Sequence, residues 1–467
     1  MSEKLLSKKF TRRSFLAGLG AAAALPVLAA CEPQVVEKIV KETVVVEKEV
    51  EVEKEVTVEV GMMPEKLQGE LNIVIRKDIG YFAEVVPKFE NLHPDVKVNF
   101  EPVEADPTPG WVTGLLAGKI ESDVMHVVQH IHVPRLLKKG IAEKVLYETT
   151  EDMKPFVPIV PHSNFVLYKN RYWGVPSSNS CAAWYYRTDA YEEAGIDPSK
   201  LNDWDAVAEA GKALKEVNPD WRAIILDTSG WNHLTMFTEL NGGGLIDKNN
   251  EIIIDSDETI EATQVYADLI NVHDVAWTTA TFYAPESWQA YKDNVIVSVM
   301  MPDWYIARTA HMGVQIAEHE YGRGKWAGRI VPQLKAGILG AQRGGGATLV
   351  AKGPNEANAA AFAFYMDLEP ENELGRLREK NFLPNRFDTL DSEEAQASKN
   401  WFLNDQLWIK DIFGIAYKNQ GKYYQHPNLS EMQGIVNRQV PRIASGEVSA
   451  AEGLKIAAEE ARALPLE

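Results

Sequence analysis

The chain has 467 residues and a mass of 52.1 kDa, with 45% hydrophobic and 25% charged residues, a mix that supports two or three globular domains around a sizeable core. Acidic residues number 67 against 48 basic ones, a formal net charge of −19, which excludes the basic face a nucleic-acid binder needs to neutralise phosphates. Two cysteines exclude a disulfide framework and the cysteine-rich zinc or iron–sulfur modules.

The chain opens on an export signal, residues 1–30. Lys4, Lys8, Lys9, Arg12 and Arg13 precede an uncharged small-residue stretch from Ala17 to Ala30. Thr11-Arg12-Arg13-Ser14-Phe15-Leu16 resembles a twin-arginine signal, and Leu28-Ala29-Ala30-Cys31 resembles a bacterial lipobox. Ser14–Ala30 is too short and too rich in Ala to read as a spanning helix. Cys31 is therefore expected to become a lipidated N-terminus, and no later apolar run approaches the roughly 20 residues that cross a bilayer.

Residues 31–66 are expected to be a tether. Positions 34–60 hold eleven Val, eight Glu and four Lys, with no Gly, Pro or aromatic residue. Val and Glu alternate in places as a strand would, but the like charges repel and no bulky residue offers a core. The Val spacing settles into no heptad. The segment reads as an extended charged spacer, able to reach about 90 Å at about 3.3 Å per residue.

From Leu71 the pattern is α/β. Leu71–Arg76 reads as a strand, and Tyr81–Leu92 as a helix with apolar positions at 82, 85/86, 89 and 92 that stops at His93-Pro94. Val96–Phe100 alternates as a second strand, which makes a βαβ unit. A helix near 109–119 and a strand at Val124–Val128 follow. Asn202 with Asp205, Asp255 with Glu258, and Asn355 are read as helix starts. The first carries Trp204, Val207, Ala208, Leu214 and Val217 on one face, the second runs to about Val272, and the third carries Ala357, Ala360, Ala361, Phe364 and Leu368. Asp247–Glu251 reads as a hairpin turn, since Ile252 stands where a calcium loop needs Gly. About 400 residues of alternating strands and helices exceed one core, so two α/β lobes are expected.

Enzyme motifs are missing: no G-x-S-x-G, H-E-x-x-H or P-loop is present, and no cofactor is expected. Cys181, between small residues, reads as a buried side chain. His126, His130 and His132 form a possible ligand cluster on a strand end and its loop. Their side chains would diverge there and no carboxylate or thiolate is near in sequence, so no metal site is assigned. The 12 tryptophans are more telling. Trp111, Trp231, Trp277 and Trp304 lie in Gly-, Pro- and polar-rich loops, where flat aromatic rings with a few polar neighbours would suit the apolar faces and hydroxyl rim of a sugar. Trp304 follows the sharp Met301-Pro302-Asp303 break after the strand Val295–Met301.

The order of landmarks resembles the family 1 extracellular solute-binding proteins of ABC importers, the group that contains the maltose-binding proteins. The matching stretches are Phe89 to Val98, Leu116-Ala117-Gly118-Lys119 leading to Ser122-Asp123-Val124, and Tyr172-Trp173-Gly174-Val175-Pro176. Trp184-Tyr185-Tyr186-Arg187-Thr188-Asp189 continues into Glu193-Ala194-Gly195-Ile196-Asp197, with Asp203-Trp204 after it. Asn241-Gly242-Gly243-Gly244, Met301-Pro302-Asp303-Trp304, Gly344-Gly345-Gly346 and Gly446 to Glu452 complete a series that covers about residues 70–460.

The resemblance implies a two-lobed α/β fold of the periplasmic-binding-protein type II class, closing on its ligand in an interlobe cleft. It places one lobe at 67–178 plus 335–378 and the other at 182–331 plus 384–467, with crossings near 176–182, 331–337 and 376–384. Carried over by position, Trp304 would stack on a sugar ring, Trp231 and Asn232 would line the cleft, and Gln129 and His130 would add polar contacts from the first lobe. Asn179 lies at the first crossing, Arg343 to Gly345 face the cleft, and Trp111 joins the ligand-binding set. Two positions depart from the family pattern: Asp303, where a small residue or Pro is common, and Arg343, before the glycines. They would read hydroxyls bidentately or a charged group on the solute.

The expected function is that of a lipid-anchored, monomeric sugar receptor on the outer face of the bacterial cell membrane, delivering to ABC permease subunits. The membrane is met only through the anchor, and no catalytic residue, metal or nucleic acid is involved. The alternatives are a polyamine, peptide or metal as the solute, or a tethered sensor or adhesin that reuses the fold.

Overall fold

The computed structural model describes residues 38–44, 52–58, 66–76, 82–160, 162–178, 180–306 and 325–465. The export signal, Cys31 and Asn179 lie outside them. In chain order the strands are β1 (Lys38–Val44), β2 (Val52–Val58), β3 (Gly69–Arg76), β4 (Val96–Val103), β5 (Val124–Val128), β6 (Leu167–Tyr168) and β7 (Arg171–Tyr172). They continue as β8 (Val175–Ser178), β9 (Ala182–Arg187), β10 (Ile224–Asp227), β11 (Ala276–Thr279), β12 (Ser298–Pro302), β13 (Trp326–Arg329) and β14 (Gly346–Val350).

The described parts of the Val-Glu-Lys segment pair with each other rather than run on as one extended chain. β1 and β2 pair antiparallel from Lys38↔Val58 to Val44↔Val52. The register sets Lys41 opposite Glu55 and Glu42 opposite Lys54, so residues of opposite sign face each other where repulsion was expected to prevent a strand. The folded-back hairpin reaches less far than a stretched chain.

The first lobe is built on the sheet β4-β3-β5-β14-β8. β3 runs parallel to β4 and β5, and β14 returns antiparallel between β5 and β8. The helix Phe82–Leu92 joins β3 to β4 as the predicted βαβ unit. Its Phe82, Val85, Val86 and Phe89 are buried, whereas Leu92, the last residue of the helix, is exposed. Helix Glu356–Leu368 packs on β8 and β14 and against Phe82–Leu92, with Phe362 edge-on to Phe89 at 5.1 Å. Sandwiched in this way, it is buried on nearly all sides; Ala357, expected inside, is exposed in its first turn.

The second lobe carries the antiparallel sheet β12-β9-β13 and the parallel pair β10-β11. Helices Trp204–Val217, Trp231–Leu240, Asp257–Asn271, Leu429–Ala444 and Ala450–Arg462 enclose its core with Trp184, Tyr185, Phe237 and Tyr266. Two caps stand one residue later than predicted. Asp203, not Asn202, accepts the Ala206 N–H at 2.8 Å, because Asn202 receives Arg329. Ser256, not Asp255, accepts from Thr259, because Asp255 is held by Arg462 at 2.9 Å. Val217 ends its helix exposed. Asp247–Glu251 is the expected turn: Ile246 bridges Ile252, and the Asp247 carboxylate accepts the Asn249 and Glu251 N–H groups, each at 2.8 Å.

After β13 the chain stays with the second lobe. Gly340 pairs with Gln420, and Gln342 pairs with Cys181. It enters β14 at Gly346 after Gly344 and Gly345, both at positive φ (84° and 103°). Among the described residues no helix is long and apolar enough to cross a membrane.

Candidate ligand-binding site

A cavity of about 220 Å³ opens at the start of helix Trp231–Leu240. Trp231, Asn232, Thr235 and Glu239 supply one wall, Gln342, Arg343 and Gly344 the next, and Tyr423, Gln433 and Asn437 the rest. Its entry loop is set by Asp227 at the end of β10. That carboxylate is fully buried and accepts the Ser229 N–H at 2.9 Å on one oxygen and the Asn232 side-chain amide at 2.7 Å on the other. The Asn232 amide nitrogen is committed to Asp227, so its oxygen faces outward and receives the Arg343 guanidinium. Asn437 accepts the Trp231 N–H at 2.7 Å and so caps the helix. Behind the loop His233 accepts the Asp227 N–H at 2.9 Å; burial, with Arg343 nearby, pushes its pKa down to about 3 and keeps it neutral.

Glu239 joins the helix to the Gly-rich segment. Its buried carboxylate accepts the Gln342 N–H at 2.6 Å. Burial pushes the acid up to about 8, against the pull of that hydrogen bond and of Arg343. Gly421 makes the closest approach on this side, since a Cβ there would lie 2.7 Å from the Glu239 carbonyl oxygen. The turn thus brings Tyr423 to the cavity. The Tyr423 hydroxyl and the Gln342 side-chain nitrogen are buried without a hydrogen-bond partner among the described residues. Such groups are costly unless something fills the space in front of them. The first lobe touches this wall: Asn164 donates to the Tyr423 carbonyl, and Lys138 pairs with Glu431.

Trp304 is half-buried beside the cavity rather than in its lining. Its indole N–H donates to the Arg343 carbonyl at 2.9 Å, and Tyr283 stacks on it at 6.4 Å. Glycine at 344 permits this approach, because a Cβ there would come within 2.8 Å of the indole nitrogen. Asp303 does not face the cavity. It is 1% exposed and, directly after β12, accepts the Cys181 and Leu383 N–H groups, each at 3.2 Å. Burial pushes its acid up to about 7.

Of the residues singled out from sequence, Trp231, Asn232 and Arg343 therefore meet in one cavity, with Trp304 bound to Arg343. Gly345 serves the turn and is not in the lining. Trp111 is core: it is 3% exposed, packs with Leu115 and Met125, and donates to the Ser122 carbonyl at 2.8 Å. Gln129 and His130 open the helix Gln129–Leu137 directly after β5, instead of ending the strand. His132, in that helix, is buried with Asp106 3.7 Å away. Cys181 is fully buried, and burial pushes its thiol well above the ordinary value, so it packs as a small core residue. Glu239, Gln342, Tyr423, Gln433 and Asn437 were not foreseen. Glu239 offered one signal, a lone carboxylate in the apolar run Leu234–Leu240.

Comparison with known proteins places this architecture. The model for bacterial extracellular solute-binding proteins matches residues 76–368, more than half of the chain. An arabinooligosaccharide-binding protein of Halalkalibacterium halodurans is 26% identical over 278 residues, 58% of this chain and 60% of that protein. A lactose-binding protein of Rhizobium radiobacter is 21% identical over 270 residues, 55% of this chain and 59% of that protein. The chain thus spans about three-fifths of the length of the curated relatives it matches. The solved GacH receptor of Streptomyces glaucescens superposes with a TM-score of 0.68 at 17% identity, over 85% of this chain and 98% of that one; the sugar-binding protein MalE of Xanthomonas citri does so at 0.68 and 16%, over 84% and 96%. The two α/β lobes are the fold these structures share, and the chain belongs to the bacterial extracellular solute-binding proteins.

Proposed function

We propose that this protein captures a sugar or oligosaccharide in the cavity at Trp231 and delivers it to the permease of an ABC importer. The observation that carries the reading is the pair of unpartnered buried polar groups, Gln342 amide and Tyr423 hydroxyl, beside the Trp231 indole. Hydroxyls of a sugar would satisfy both while a ring face covers the indole. The arabinooligosaccharide and lactose named in the relatives set the class to test first. A polyamine fits less well: Glu239 is the carboxylate of the described lining, Arg343 stands beside it, and Asp303 points elsewhere.

On this reading the protein is a receptor and not an enzyme, works as a monomer, and is held at the outer face of the membrane through lipidated Cys31. The lobes, on this reading, meet at three crossings, near 178–182, 343–345 and 368–387; the step from β8 to β9 and the entry into β14 support the first two, and the change of core between Leu368 and Leu390 supports the third. A thermal-shift panel of arabino-oligosaccharides, lactose, malto-oligosaccharides, spermidine and a mixed peptide pool tests it. Stabilisation by one saccharide class alone is the expected outcome; stabilisation by spermidine or peptides alone contradicts it.

A further inference from the structure

We infer that Asp303 is a positioning residue for solute capture: its buried carboxylate holds the first and third crossings between the lobes, while its neighbour Trp304 holds the second. The inference rests on the two-lobed capture proposed above, but it is drawn from contacts outside the cavity.

One oxygen of Asp303 accepts the Cys181 N–H and the other accepts the Leu383 N–H, each at 3.2 Å. The Asp303 N–H donates in turn to the Cys181 carbonyl at 3.3 Å. Cys181 lies between β8 of the first lobe and β9 of the second. Leu383 lies between the helices Pro370–Lys380 and Phe387–Leu390, where the returning chain packs into the core of the second lobe. One residue on, the Trp304 indole N–H binds the Arg343 carbonyl at 2.9 Å, where the chain turns through Gly344 and Gly345 into β14. Two consecutive residues directly after β12 therefore reach all three crossings.

The third crossing is also tied to β8, the strand that leads into the first. Arg376 donates to the Ser177 carbonyl at 2.7 Å, and the Asn385 side chain donates to the Pro176 carbonyl at 3.0 Å. A carboxylate out of water is expensive to keep. It persists at Asp303 because a single side chain supplies acceptors to two backbone N–H groups that would otherwise be buried unmet. Lobes that rotate about these crossings pivot on groups that Asp303 holds, and the same strand end carries Trp304 to the cavity wall. A change at the hinge is thereby transmitted to Arg343 without any ligand contact by Asp303.

The test needs no solute, so failure to find a sugar would sink the proposed function and leave this inference standing or falling by itself. Hydrogen exchange and small-angle scattering are measured on the ligand-free protein for Asp303→Asn and Trp304→Phe. Asp303→Asn keeps one acceptor oxygen and puts an NH₂ against the other N–H. The amide left facing the NH₂, Cys181 or Leu383, should then exchange about tenfold faster or more while β9 keeps its protection, and the scattering should show a wider spread of interlobe distances. Trp304→Phe keeps the ring and frees the second crossing, so it should widen that spread with Cys181 and Leu383 still protected. Loss of protection in β9 in step with Cys181 would make Asp303 a plain core bracket and overturn the inference. Scattering identical to wild type for both variants would overturn it as well. Should Asp303→Asn fail to fold, Trp304→Phe decides alone: unchanged scattering rejects the coupling.

Discussion

The Glu239 carboxylate accepts the backbone N–H of Gln342 at 2.6 Å, across 103 residues of chain. This bond ties the helix Trp231–Leu240 to the Gly-rich segment and holds two walls of the cavity together. With its pKa pushed up to about 8 by burial, Glu239 is mostly the neutral acid at neutral pH. Glu239→Gln, which copies the neutral acid in shape, should leave sugar affinity within about threefold of wild type at pH 7. Glu239→Ala should cost about 1–3 kcal/mol of stability by stranding the Gln342 N–H. Urea unfolding of the two variants measures the difference, and equal loss in both would contradict the neutral-acid reading.

Stability should fall as pH rises from about 6.5 to about 8.5. Burial raises Asp303 to about 7 and Glu239 to about 8. A carboxyl with a raised folded pKa contributes stability that is fully present below its unfolded pKa and lost as pH climbs through the folded value. Asp367 and Glu373, raised by burial beside Arg376, act in the same direction. His233 and His162, held down to about 3 and about 4, act oppositely, but their contribution is complete above about 6.5 and drops out of this window. Urea midpoints across the window check the slope, and Glu239→Gln should flatten it.

Gly344→Ala should disturb the site through Trp304. The residue sits at φ 84°, and an added Cβ would stand 2.8 Å from the indole nitrogen. Strain and the displaced ring should together cost roughly 1–3 kcal/mol, with a shift in tryptophan emission in the ligand-free protein. Unchanged emission and stability would remove Trp304 from the wall built on Arg343.

Cys31→Ala should release the protein from the membrane fraction, and Arg12→Lys with Arg13→Lys should hold it in the cytoplasm. Fractionation followed by immunoblotting reads both. A Cys31→Ala protein that still pellets with membranes would rule out the lipid anchor.

Local patterns were legible where one residue's environment is set by near neighbours. The βαβ unit at 69–103, the strand Val124–Val128 and the turn at Asp247 follow from periodicity and turn chemistry. The order of landmarks carried Trp231, Asn232 and Arg343 to one cavity. What stayed hidden depends on distant partners. Gln342 and Tyr423 become site residues because chain folded from far away leaves their polar atoms in front of a cavity. Asp303 was misplaced because the N–H groups that draw it inward, those of Cys181 and Leu383, lie 122 and 80 residues away in the chain. The caps at Asp203 and Ser256 shifted by one because Arg329 and Arg462, more than a hundred residues away, engage Asn202 and Asp255. The β1–β2 pairing is not legible along one strand, because charges that repel along it attract across two, as Lys41 opposite Glu55 shows.

A solute that fills the space before the Tyr423 hydroxyl would be felt at once in calorimetric titration of Tyr423→Phe. The substitution removes one oxygen atom that has no hydrogen-bond partner among the described residues, so thermal stability should hold or rise slightly. Affinity for the saccharide that stabilises the wild type should fall by about 0.5–1.5 kcal/mol, the worth of one hydrogen bond. Unchanged affinity with unchanged stability would mean that the sugar binds somewhere other than this cavity.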